Sequence, residues 1–178
     1  MSADRNEWRT TPELFDAVNR AFRFNVDLAA SDENHLCEKY FTAKSSAFLC
    51  YTQDVIGEVW CNPPYGKESA GQAGLLAWAK LCWRISHRET GRVVMLAPGD
   101  HGTQWYKWAL DHCAIEIRLS PRVQFLPPDG VKPSSNPHPS TLFVFDGTNW
   151  PWHHSVLWNW KEEPLAECLG FKHSPIPL

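Results

Sequence analysis

The stretch "VWCNPPYG", residues 59–66, holds the residues of this chain best equipped for chemistry. An apolar run that reads as a buried strand stops at Asn62, Pro63, Pro64 and Tyr65. Proline has no amide donor, so a Pro-Pro step ends a central strand. It also fixes a direction: a residue that precedes proline is held extended, so Pro64 aims the Pro63 carbonyl. Asn62 sets a side-chain acceptor beside that carbonyl. Two adjacent acceptors suit the two hydrogens of an exocyclic amino group or a primary amide, and Tyr65 offers a flat face to a planar ring. Such a nitrogen is a weak nucleophile because its lone pair is delocalised. Acceptors pulling on its hydrogens favour a tetrahedral nitrogen, ready for direct attack on an activated methyl group. An isolated Pro-Pro step is more simply a turn with an exposed tyrosine. All four residues together, after a buried strand, favour the chemical reading.

The elements around this motif must put it at an accessible edge. "TTPELFDAVNRAF" predicts a helix with Thr11 as cap, Pro12 in the first turn and Leu14, Phe15, Val18, Ala21 and Phe22 on one face. "FRFNVDLAAS" predicts a short strand from Phe24 to Leu28, followed by the polar, irregular segment "SDENHLCEKYFTAKSSAF" and a second strand at "EVWC". Residues 71–87 read as a helix, "RVVMLAP" as a central parallel strand, "GTQWYKWALDHC" as a helix, and "AIEIRLS" and "TLFVFDG" as strands. Alternating helices and strands argue for an α/β fold with a mostly parallel, doubly wound sheet. In such sheets ligands bind beyond the carboxyl ends of the strands, where "DLAAS", "CNPPYG" and "LAPGDH" all fall. Residues 1–147 are expected to form this domain, and residues 148–178 a Trp- and Pro-rich extension packing on it.

"NPPY" resembles the catalytic motif of S-adenosyl-L-methionine-dependent amino-methyltransferases, above all DNA adenine N6-methyltransferases. "EWRTTPELFDAV", "FNVDLAAS", "RVQF" and "HPSTLFVFDG" extend the likeness to the short phage-encoded DNA N6-adenine methyltransferase (phage Dam) family, over roughly residues 7–146. The resemblance implies a single Rossmann-like methyltransferase domain that acts on adenine flipped out of double-stranded DNA. It implies a phage role in DNA modification and protection from host restriction. By position it assigns Asn62, Pro63, Pro64 and Tyr65 to catalysis. Trp8, Thr11, Pro12, Asp27, Ala29, Ala30 and Asp54 go to the cofactor, with Asp32 or Glu33 as candidate ribose ligands. Arg122 and Phe125 go to the DNA or base side. The first-strand loop, "DLAASDEN", departs from most methyltransferases in having no glycine.

Composition narrows the remaining choices. The formal net charge of −3 argues against a nonspecific nucleic-acid coat, though not against an enzyme with a local basic face. The six cysteines form no C-x-x-C pair and read as reduced core thiols, so no metal is expected. No apolar run approaches membrane length, and the N-terminus is polar, so a cytoplasmic location is expected, in the host if the chain is phage-encoded. Lys80, Arg84 and Arg88 read first as a solvated helix face, and His153 and His154 as surface residues. Asp100 and His101 are minor candidates at the active edge. The same motif also suits methylation of a protein glutamine amide or of cytosine N4, and a DNA-binding relative without activity is a further alternative. Cytosine C5 chemistry needs a Pro-Cys nucleophile, and the chain has none.

Overall fold

The computed structural model describes residues 8–43, 47–48, 55–66, 73–88, 91–127, 136, 138–147 and 154–170. Asp54, one of the cofactor expectations, and His153 lie outside the described residues. The strands are β1 (Val26–Asp27), β2 (Lys39–Tyr40), β3 (Val59–Cys61), β4 (Arg92–Pro98), β5 (Ile115–Ser120), β6 (Ser140–Asp146) and β7 (His154–Asn159). They form one sheet in the order β2-β1-β3-β4-β6-β5-β7. Every pairing is parallel except the two made by β6, which runs against β4 and β5.

Helices cover both faces because the inner strands bury side chains on both sides. Val94 and Leu96 of β4 join the cluster beneath α1 (Pro12–Phe22) and α4 (Leu165–Cys168). Val93, Met95 and Ala97 join the cluster beneath α2 (Leu75–Ser86) and α3 (Gln104–His112). Strands buried on both faces read as unbroken apolar runs, which is why "RVVMLAP" was legible. β3 follows the same alternation. Trp60 turns toward α1, meeting Phe15 edge-on at 5.5 Å and Phe24 at 5.4 Å. Val59 and Cys61 turn toward α2.

α1 begins as the sequence predicts. Thr11 is the N-cap and accepts a long bond from the Leu14 amide at 3.4 Å, with Pro12 in the first turn. The helix ends on Arg23 in the left-handed region, φ 60, whose amide reaches Asn19 O at 2.8 Å. The Asn19 side chain holds the next amide, Phe24 N–H, at 2.7 Å.

Five elements differ from the sequence reading: β1 is shorter than the expected Phe24–Leu28, α4 was not expected, and α2, β2 and β7 depart as follows. α2 starts at Leu75, behind an extended Gly74 cap, and residues 71–72 are outside the described residues. β2 lies within the segment read as irregular; it is two residues long and not buried, so no apolar alternation marks it. β7 lies in the Trp- and Pro-rich segment and pairs in parallel with β5 from Ile115↔His154 to Ser120↔Asn159. It is an edge strand on which only Trp158 is buried, so its pattern is that of a half-covered surface.

A cluster at the far end from the strand carboxyl ends fixes the start of β4. Arg92 donates to both Glu58 carboxylate oxygens, at 3.0 and 3.2 Å, and its guanidinium lies 5.1 Å from the Phe22 ring centre. Nearby, Gly91 has φ +150, and a Cβ there would come 2.0 Å from Gly57 O, so the position requires glycine.

Candidate active site

The chain leaves β1 to build β2 on one side, then returns to place β3 and β4 on the other. The gap between β1 and β3 is therefore the topological switch point of the sheet, the place where sheets of this kind take their ligands beyond the strand ends. Asp27 closes β1 and Asn62 follows β3, and the register Asp27↔Trp60 sets them on either side of that gap.

Asn62 is held at both ends of its amide. Its Nδ2 donates to Thr10 Oγ1 at 3.0 Å, and its Oδ1 accepts from the Tyr65 hydroxyl at 2.9 Å. The same hydroxyl lies 3.3 Å from Leu96 O on β4. Burial, and then the neighbouring Cys61 thiol, push Tyr65 above the usual phenol range, so it stays neutral and able to donate. The Tyr65 ring meets Phe125 edge-on at 6.1 Å. Pro63 is buried, while Asn62, Pro64 and Tyr65 are half-buried.

Two strips of chain bring these groups together. Arg9 and Leu126 exchange a pair of backbone hydrogen bonds, each 2.9 Å, as an antiparallel bridge. That bridge puts Thr10 on Asn62 from one side and Phe125 on Tyr65 from the other. The strip carrying Phe125 is anchored at its root by Trp160. The Trp160 indole donates to Pro121 O at 2.7 Å and its backbone amide to Ser120 O at 3.0 Å. Sequence reasoning missed Thr10, the bridge and Trp160. The one available signal was the Thr-Thr pair: Thr11 is explained by the helix cap, which left a second threonine without a task.

Asp27 is 4% exposed and works first on its own loop. Its Oδ1 accepts from the Ala29 amide and its Oδ2 from the Leu36 amide, both at 3.2 Å. Residues 28–38 cross from β1 to β2 with no helix, closed by a Ser31–Asn34 turn. Glycines in such a loop serve a tight turn, close approach of the backbone to the ligand, and close helix–strand packing. With no helix between β1 and β2, the last of these demands is absent from "DLAAS". Burial raises the Asp27 pKa above its ordinary 3.8, against the opposing pull of the Ala29 and Leu36 amides and of His35. Since the folded chain then holds this proton more tightly than the unfolded chain, the Asp27 contribution to stability falls as pH rises through the window from 3.8 to the raised folded value. Urea unfolding across that window is expected to show the fall in wild type and a flatter profile in Asp27→Asn; identical profiles would remove Asp27 as its source.

The other expected residues fall as follows. Trp8, Ala29 and Ala30 are half-buried, Pro12 is exposed in the first turn of α1, and Arg122 is exposed at the start of the Phe125 strip. Asp32 accepts from the Tyr40 hydroxyl at 3.3 Å, while Glu33 is exposed. Asp100 accepts through its backbone carbonyl from the Thr103 hydroxyl, at 2.9 Å, in the turn before α3. His101 packs on Tyr106 at 4.7 Å. Lys80, Arg84 and Arg88 are exposed, Lys80 lying 5.9 Å from the Trp108 ring centre. Cys61, next to Asn62, is pushed well up by burial and by Cys82, so it is a neutral packing thiol rather than a nucleophile. Among the described residues no helix is long and apolar enough to cross a membrane, and no group of three His, Cys, Asp or Glu could hold a metal.

A family model described as DNA N-6-adenine-methyltransferase (Dam) matches residues 1–159, which takes in every strand among the described residues and the Asn62 neighbourhood. The chain belongs to the Dam family. A curated relative, a DNA N-6-adenine-methyltransferase of Escherichia phage T1, is 26% identical over 113 residues, or 63% of this chain and 44% of the relative. The chain thus spans less than half the length of that relative. The Dam-family match runs past residue 148 to the last residue of β7, so the edge strand lies inside the matched region.

Proposed function

We propose that this Dam-family chain transfers a methyl group from S-adenosyl-L-methionine to the N6 amino group of adenine in double-stranded DNA. The observation that carries the reading is the Asn62 amide, fixed at both ends directly before two prolines at the switch point of the sheet. A side-chain oxygen has two lone pairs, so the Tyr65 hydroxyl takes one and leaves one for an incoming amino hydrogen. The Pro63 carbonyl takes the other hydrogen. The adenine nitrogen is thereby turned so that its lone pair points away from the ring plane, while Tyr65 and Phe125 form aromatic walls for the flipped base. Arg122 is exposed at the start of the Phe125 strip, and its assignment to the DNA or base side rests on the resemblance.

When bound, the cofactor supplies an electrophilic methyl group on a sulfonium. The donor set supports a fit to it. An ionised carboxylate has about four acceptor positions, and the two loop amides use two of those on Asp27, which leaves capacity for the ammonium of the methionine part. Ala29 and Ala30 keep the wall of the gap low. Trp8, Thr11 and Pro12 enter from the strip that also carries Thr10, and Asp54 is assigned to the cofactor's adenine by resemblance. The role is DNA modification during phage growth, inside the host cell.

The test is transfer of tritiated methyl to duplex DNA, with the product digested and resolved as nucleosides. Label in N6-methyl-2′-deoxyadenosine is expected. Label in N4-methyl-2′-deoxycytidine, or in a protein glutamine instead of DNA, would overturn the substrate assignment.

A further inference from the structure

The Asn62 amide serves the reaction only one way round. With Oδ1 toward the base it accepts an amino hydrogen; with Nδ2 there, two donors face each other. An amide free to turn about its side-chain bond would present Oδ1 in that place only part of the time. We propose that Thr10 is the positioning residue that holds the amide in place. Its hydroxyl takes the Asn62 Nδ2 hydrogen at 3.0 Å and so turns Oδ1 toward Tyr65.

Thr10 is well placed for the task. It is 4% exposed, so water does not compete for its hydroxyl. Its backbone is pinned on both sides: Arg9 is bridged to Leu126, and Thr11 caps α1. Because Leu126 adjoins Phe125, the bridge also holds the aromatic partner of Tyr65. The strip around Thr10 thus fixes the amide nitrogen directly and the Tyr65 side of the amide through Phe125. Tyr65 can let go of the amide, since its hydroxyl has a second acceptor in Leu96 O at 3.3 Å. The Thr10 contact is then the one that keeps the amide in place.

This inference rests on the reading that Asn62 Oδ1 accepts the target amino group, and the experiment separates the two. Thr10→Val keeps the shape and removes the hydroxyl; Thr10→Ser keeps the hydroxyl. With saturating S-adenosyl-L-methionine and adenine-containing duplex, Thr10→Val is expected to lower kcat about 10- to 100-fold, the scale of a misplaced catalytic group, with KM for DNA little changed. Thr10→Ser is expected to recover most of the rate. The Asn62 side-chain 15N resonances, read without DNA, are expected to shift in Thr10→Val and return in Thr10→Ser. A wild-type rate in Thr10→Val, or equal loss in Thr10→Ser, would overturn the role. Unmoved Asn62 resonances would also overturn it, because they register the contact whatever the reaction. If the resonances move as expected while Asn62→Ala turns over normally, the contact stands as structure but the positioning role falls together with the proposed use of Asn62.

Discussion

Asn62→Ala is expected to lower kcat for adenine methylation by about 1000-fold, the upper end of what removing one transition-state hydrogen-bonding group costs. The substitution deletes the Oδ1 acceptor but leaves Pro63, Pro64 and the Tyr65 ring. Base capture is therefore expected to persist while the amino group is held by one carbonyl only. In the proposed site the cofactor is held by Asp27 and the 8–12 strip rather than by this amide, so titration followed by tryptophan fluorescence is expected to give a nearly unchanged Kd. Two contacts are lost with the side chain, one to Thr10 at 3.0 Å and one to Tyr65 at 2.9 Å. A buried hydroxyl left unpaired costs about 1–3 kcal/mol, so a small drop in melting temperature is expected beside the large drop in rate. Turnover within a factor of about three of wild type would take Asn62 out of the mechanism.

The largest stability effect is expected at the opposite end of the sheet. Arg92 and Glu58 form a buried pair at 3.0 Å, with side chains 4% and 11% exposed. Such a pair adds little over an apolar pair of the same shape, but removing one member strands the other charge at a cost of about 3–5 kcal/mol. Arg92→Ala is therefore expected to lose that much in urea unfolding and roughly 10 °C in Tm. Burial already pushes Glu58 upward, with Arg92 pulling it back. In the variant that restraint is gone, so Glu58 takes up a proton at higher pH and the loss shrinks as the solution is acidified. Pairing the change with Glu58→Met removes the stranded charge and is expected to recover part of the loss. A Tm within about 2 °C of wild type for Arg92→Ala alone would show that the pair contributes little.

The sequence carried the centre of the fold better than its margins. "RVVMLAP" and "TLFVFD" are buried on both faces, and burial on both faces writes itself as an uninterrupted apolar run. β2 and β7 border the sheet, where one face or both meet water, and their composition does not separate them from loop. The reversal of β6 was also invisible, since strand direction depends on how the chain returns rather than on which residues pair. At the site, the group with strong local chemistry was legible: two prolines constrain the backbone whatever surrounds them. Thr10 was not, because its partner Asn62 is distant in the chain and only the Arg9–Leu126 bridge brings the two together. Asp27 was assigned through the resemblance of "FNVDLAAS" to a cofactor strand, yet its contacts in the fold go to the amides of its own loop.

The Trp160 anchor gives the molecule a timetable. The ribosome makes residues in order, and the Phe125 strip emerges before the tryptophan that fastens its root to Pro121 O. Parallel pairing of β5 with β7 likewise waits for residues 154–159. The root of the Phe125 strip is therefore fastened only once residue 160 has been made. A nascent chain can already hold the Asn62 motif, α1 and the central strands while it still lacks a fastened wall. The Phe125 strip is thus fastened to Trp160 late in translation, after residues 59–66 have been made.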